Sequence, residues 1–228
     1  MARTSKERLY SDLQRQILTL ELAPGTHLDE TRLSEEYGIS RTPLRDVFRQ
    51  LDGEGYIVIR ENRGTFVSPM GHKTMRDFFI AAPMIYSAVA RLAARNATDA
   101  DIAALVDTQA CFRKAVRGGD VDGMIFWNDR FHFFTGEIAD NPYLMPSLRR
   151  LLIDHARIGQ TFWRREPRGQ DLRIETAASH HDAFIEAFGQ RDEEAAARLT
   201  REHWELSRNH IERYVRPDPL PEDVPLGA

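Results

Sequence analysis

The stretch from Leu22 to Val67 constrains this chain most, because two helical periods and a strand-like alternation follow one another there with clear stops between them. Leu33 and Tyr37 share one face of a helix that begins at Asp29 or Glu30, and Gly38 ends it. Ser40 stands where a hydroxyl can accept from an orphan amide of the next helix. From there Leu44, Val47, Phe48 and Leu51 recur at helical spacing as far as Gly55. Tyr56, Val58 and the pair Phe66/Val67 then read as strands flanking a turn at Glu61-Asn62-Arg63-Gly64. Helix, tight turn, helix and hairpin in that order predict a winged helix-turn-helix.

The residue types suit double-stranded DNA. Arg41, Thr42 and Arg45 fall in the first turn of the second helix, the end that enters a major groove, and Arg49 follows one turn later. A guanidinium fork matches the O6 and N7 acceptors of guanine, and Thr42 can reach a phosphate or a base edge. Asn62, Arg63 and Gly64 make a small, polar, positively charged hairpin tip suited to a minor groove.

These residues resemble the DNA-binding domain of the GntR family of bacterial transcription regulators. The resemblance rests on Pro24-Gly25, Leu28-Asp29-Glu30, Leu33-Ser34-Glu35, Ser40 to Arg45, Leu51 to Gly55 and Arg63 to Val67, in that order. It implies a site-specific regulator, and the charge agrees. The chain carries a formal net charge of −4, and residues 1–70 hold ten Lys and Arg against eleven Asp and Glu. A non-specific phosphate binder would be basic throughout. Here the positive charge is local, which favours a dimer reading a palindromic operator.

The 228 residues allow two modest domains, and we place the boundaries at 1–70, 74–214 and a Pro-rich tail at 215–228. The single Cys111 excludes an internal disulfide. No run approaches the ~18 apolar residues of a membrane helix, and MARTSKERLYSDL lacks an apolar signal core, so a cytoplasmic location without a membrane partner is expected. A first helix is predicted over 5–20. Beyond the linker Ser68 to His72 only helical periods occur, at 74–95, 98–117, 120–139, 143–163, 173–189 and 191–214. Phe78, Ile85, Val89 and Leu92 should face inward from the first of these, and Pro83 should kink or split it. Residues 164–170 read as a loop. The whole is mainly α, a winged domain followed by an all-α, six-helix antiparallel bundle.

Three histidines fall on the apolar stripes of this bundle. Asn128 and His132 lie one turn apart among Ile125 and Thr135; His181 shares a face with Phe184, Ile185 and Phe188; His203 shares one with Leu199 and Leu206. A divalent metal bound by neutral imidazoles would satisfy all three, and three separately bonded core histidines would do so equally.

Trp127 to His132, the break at Asn141-Pro142, His181 with Phe184 to Phe188, and Ala195 to His203 resemble the FCD ligand-binding domain, which defines the FadR branch of the GntR family. The resemblance implies a divalent metal such as Zn, Ni or Mn on His132, His181 and His203, with Asn128 in a place usually held by Asp. It also implies a small carboxylate effector beside the metal, for which Arg149 and His155 are candidate contacts, and His180 could replace His181 after a one-residue register shift. The expected function is a homodimeric, effector-controlled regulator, most simply a repressor and not an enzyme. A metal-dependent hydrolase is the rival, but no HExxH motif and no evident general base support it. A regulator with a purely structural metal is a third reading.

Overall fold

The structure, a computed structural model, describes residues 4–163 and 172–215. The expected loop at 164–170 and the Pro-rich tail beyond 215 lie outside the described residues, apart from Val215 itself.

Helix α1 (Ser5–Leu18) starts at a capping box, in which the Thr4 hydroxyl accepts from the Glu7 amide and the Glu7 carboxylate accepts from the Thr4 amide. A two-residue strand, β1 (His27–Leu28), follows. Asp29 caps α2 (Glu30–Tyr37) by accepting from the Thr31 and Arg32 amides, and Gly38 ends it in the left-handed region at φ +62°. Ser40 occupies the N-cap of α3 (Arg41–Glu54), but its hydroxyl makes no capping bond, contrary to expectation. The hairpin is β2 (Ile57–Arg60) with β3 (Gly64–Val67), paired Val58 to Phe66 and Arg60 to Gly64. Strand β1 lies antiparallel on the other edge of β3, giving the order β1-β3-β2. Leu9, Leu13 and Ile17 of α1 close over Leu33, Leu44, Phe48, Leu51 and Ile57 to form the core of this unit.

Six helices follow: α4 (His72–Asn96), α5 (Asp99–Gly118), α6 (Val121–Ala139), α7 (Leu144–Phe162), α8 (Leu172–Gly189) and α9 (Glu193–Val215). Pro83 does not split α4, which runs unbroken through it. The missing amide costs one helical hydrogen bond, and packing of the helix against α6, α7 and α9 offsets that loss. Its buried face is Phe78, Ala82, Tyr86, Val89 and Ala93, while Ile85 and Leu92 sit only half-buried at the edge. The inward stripe is thus centred one position later than the large apolar residues alone suggest, because alanines fill the closest approaches. By length and mean hydropathy (1.3) α4 could cross a bilayer, unlike what the run of apolar residues suggests. It is instead the central helix of the bundle, held to α9 by the exposed pairs Arg91–Glu194 and Arg95–Glu193.

The winged unit docks on α7. Arg157, fully buried, donates to the Asp154 carboxylate at 3.0 Å and to the Ser68 carbonyl at 2.7 Å. Burial pushes its guanidinium down and Asp154 pulls it back up, so the charge stays paired. Gln160 donates to the Leu18 carbonyl at 3.2 Å. Gly55 sits at φ +93° with the Arg150 side chain where a Cβ would stand. We expect Gly55→Ala to cost ~1–2 kcal/mol from the left-handed backbone alone, read as a lowered midpoint in chemical denaturation.

Candidate DNA interface and metal centre

Packing of Leu44, Val47 and Leu51 against α1 leaves the opposite face of α3 outward, and Arg41, Thr42, Arg45 and Arg49 are all exposed on it. Arg45 pairs with Glu30 of α2 at 3.2 Å and Arg49 with Asp46 at 3.2 Å. Arg41 and Arg63 make no ion pair among the described residues. Because Ser40 leaves the first-turn amides of α3 uncapped by a side chain, an acceptor from outside can take them. At the hairpin tip Asn62 adopts φ +57° and Gly64 φ +94°, with the Arg63 amide donating to the Arg60 carbonyl at 3.0 Å. A Cβ on Gly64 would also stand 2.8 Å from His27 Nε2, so β1 fixes the glycine that turns the wing. All the expected DNA contacts therefore lie on one exposed helix face and one exposed hairpin.

In the bundle, α6, α8 and α9 bring His132, His181 and His203 together, each buried, with one ring nitrogen of each lying within 4.8 Å of the others. His132 Nε2, His181 Nε2, His203 Nδ1 and the Asn128 Oδ1 are all buried without a hydrogen-bond partner. Three orphaned imidazole nitrogens brought this close are a pattern that a bound cation resolves, and the set, with the amide oxygen of Asn128 one turn before His132, fits a divalent transition metal. Burial, then the neighbouring histidines, hold His132 well below its usual range; burial likewise lowers His203 well below it and His181 to about 3. All three are neutral at pH 7 and keep a lone pair.

Gln109 of α5 was not legible as part of this centre. Its Oε1 accepts from His181 Nδ1 at 3.1 Å, while its Nε2 donates to the Ala178 carbonyl and to Asp182. That fixes the tautomer of His181 with Nε2 as the free acceptor. His180 is half-buried and outside the group of three whose nitrogens converge, so His181 takes the position, although the His180 ring lies 5.6 Å from that of His203 and its Nδ1 is also unpartnered. Asp129 does not substitute for Asn128: it lies round the helix, towards the winged unit, where burial pushes its carboxyl up to about 7.

A small cavity of about 20 Å³ adjoins the histidines, lined by Tyr86, Phe131, Thr135, Phe184, Phe188 and Trp204 among others. Its walls are aromatic and carry no Lys or Arg. Arg149 does not reach it; the residue is exposed on α7 with its guanidinium 5.3 Å from the Phe133 ring centre. The rotation of about 100° between the buried Leu148 and Arg149 turns the arginine away from the cavity and accounts for the difference from expectation. His155 is buried at the cavity's edge, its Nδ1 3.1 Å from the Tyr86 hydroxyl and its ring 5.0 Å from that of His132. Trp204, which packs on Tyr86 and His155, is a further lining residue that the stripe on α9 did not single out.

Known proteins match both halves. Residues 5–67 match the gntR family of bacterial regulatory proteins, and residues 83–206 match the FCD domain. The HTH-type transcriptional repressor RspR of Escherichia coli is 30% identical over 199 residues, covering 86% of this chain and 84% of its own. The Galactonate operon transcriptional repressor of the same species is 24% identical, covering 86% and 92%. The solved structure of E. coli McbR/YncC superposes with a TM-score of 0.76 at 19% identity, over 93% of this chain and all of that one.

Burial lowers His155 to about 4. Its unfolded value is near 6.5, so below that pH the unfolded chain binds more protons than the folded one, and stability falls as pH drops from about 6.5 towards 4. The loss from this one residue is roughly 3 kcal/mol. His132, His181 and His203 add to the same fall in metal-free protein, so thermal unfolding across pH 7 to 4 should show a steep loss, and His155→Gln should make it shallower by one proton's share without abolishing it.

Proposed function

Because this chain belongs to the GntR family of bacterial transcription regulators and carries an FCD domain, we propose that it is a dimeric, cytoplasmic repressor whose operator affinity is set by a small organic acid bound beside a divalent metal. The observation that carries the sensor half of this reading is the cluster of three buried imidazoles with nitrogens within 4.8 Å of one another and without hydrogen-bond partners, with the unpartnered Asn128 oxygen one helical turn before His132. Membership of a regulator family removes the hydrolase alternative.

Residues 1–70 form the reader. Arg41, Thr42 and Arg45 contact bases, Arg49 a phosphate, and Asn62, Arg63 and Gly64 the minor groove. Arg45 must leave Glu30 to do so, and exposed pairs of this kind are worth only ~0–1 kcal/mol, so the exchange is cheap. Two such readers, related by a two-fold axis, fit a palindrome.

Residues 74–214 form the sensor. Asn128, His132, His181 and His203 hold the metal, which is Zn, Ni or Mn by its ligand types. A divalent ion there supplies a positive charge and a position for an anionic ligand. All four protein donors are neutral, so they leave that charge uncompensated, and the cavity beside them has no cationic side chain to compete for a carboxylate. The aromatic wall of Phe131, Phe184 and Trp204 suits an acid with an apolar body, and His155 holds the Tyr86 hydroxyl at the cavity's edge. One relative is named for the operon of galactonate, itself an organic acid. The cavity has room for about one water molecule, so effector entry must shift α4, α6 or α9 apart, and such a shift is the signal.

Two outcomes follow. With an operator selected from random duplexes, Arg41→Ala or Arg45→Ala should weaken binding by roughly 5- to 150-fold, the worth of one bidentate base contact of ~1–3 kcal/mol; unchanged affinity in both would remove α3 from the interface. In a thermal-shift screen of organic acids, an effector should raise the melting temperature of metal-loaded protein and leave chelator-treated protein unmoved.

A further inference from the structure

A second cavity, of about 220 Å³, opens where the winged unit meets the bundle. Tyr10 from α1 and Glu54 and Tyr56 from the end of α3 form one side, and Asp129 and Phe133 from α6 with Arg149 from α7 form the other. Neither unit encloses it alone. Glu54 is already engaged, accepting from the Tyr10 hydroxyl at 2.6 and 2.8 Å. Asp129 and Arg149 differ. Among the described residues neither makes a hydrogen bond or an ion pair, although both line the same cavity.

A carboxyl and a guanidinium that face one space without touching leave room for a ligand that complements both. A half-buried carboxylate beside the rings of Tyr10, Tyr56 and Phe133 is suited to an ammonium, through ion pairing and the faces of the rings. An arginine fork takes a carboxylate in two parallel hydrogen bonds. The cavity is smaller than the ~300–1,000 Å³ of sites for drug-sized ligands, which limits the ligand to a few heavy atoms beyond its charged groups. We propose that this cleft binds a free amino acid as its zwitterion, the ammonium on Asp129, the carboxylate on Arg149 and the side chain against Tyr56 and Phe133. A ligand seated there touches both units and binds only their docked arrangement, so it stabilises that arrangement by mass action, growing with the logarithm of its concentration above Kd. The site stands apart from the histidine centre, because Asp129 and Phe133 occupy the face of α6 next to the one that carries Asn128 and His132.

The test is a thermal-shift titration of the full chain with each of the twenty L-amino acids, with and without chelator. Any hit is then repeated as its decarboxylated amine and its deaminated acid. One or a few amino acids should raise the melting temperature equally in both conditions. Losing one charged hydrogen-bonding partner should weaken binding at least about tenfold, whether the charge is removed from the ligand or from the protein by Asp129→Asn or Arg149→Gln. Asp129→Asn keeps the side-chain size and removes an unpaired charge, and Arg149→Gln is at an exposed position, so both variants should fold. The proposal is overturned if no amino acid shifts the melting temperature, if both variants keep the wild-type affinity, or if the response disappears with chelator. That last result would instead assign the response to the histidine centre.

Discussion

Burial of three uncharged imidazoles against one another, with an asparagine amide beside them, is the constraint on which the rest of the bundle depends. Leaving four buried acceptors unmatched would cost on the order of 1–3 kcal/mol for each. A fold keeps such a cluster only where something offsets that cost, and a cation held there, as proposed, would do so. The requirement reaches outward: Gln109 must hold the tautomer of His181, and α6, α8 and α9 must keep their rotations for the donor atoms to converge. Depressed imidazole protonation follows from the same burial, so the centre is already in its ligating form at neutral pH.

Helices α6 and α7 carry the consequences to the DNA-binding unit. One face of α6 presents Asn128 and His132 to the centre, and the neighbouring face presents Asp129 and Phe133 to the winged unit. On α7, His155 bonds Tyr86 at the cavity, while Asp154 and Arg157 close a buried ion pair onto the Ser68 carbonyl at the root of the linker. A rotation of either helix cannot improve one contact without disturbing the other. In the proposed reading a coupling of ~1–3 kcal/mol between effector and operator needs only a small shift of these rods, because packed interfaces switch between arrangements and do not bend continuously.

The sequence made some of this plain. Helix ends were legible where a cap chemistry or a left-handed glycine marks them, as at Asp29, Gly38, Gly55 and Thr98. The burial of Asn128 and His132 was legible because they interrupt an apolar stripe at one-turn spacing. Strand β1 was hidden, since two residues cannot show alternation. Pro83 misled because a lost hydrogen bond is a local cost and the packing that offsets it is tertiary. Arg149 misled although the period of Leu148, Leu152 and His155 turns it off the inward face; what α7 alone does not record is that the face Arg149 occupies meets the cleft beside the winged unit. Gln109 gave no sign because its role depends on the ring it meets from another helix.

The central claim is that the imidazole cluster holds a metal, and the most direct test is metal content on tag-free protein before and after dialysis against Zn, Ni and Mn salts, followed by X-ray absorption at the edge of whichever binds. The account predicts one ion per chain with nitrogen-dominated coordination, and loss of that ion in His181→Ala. Protein that is purified without metal and takes up none of the three, while keeping its fold, would contradict it.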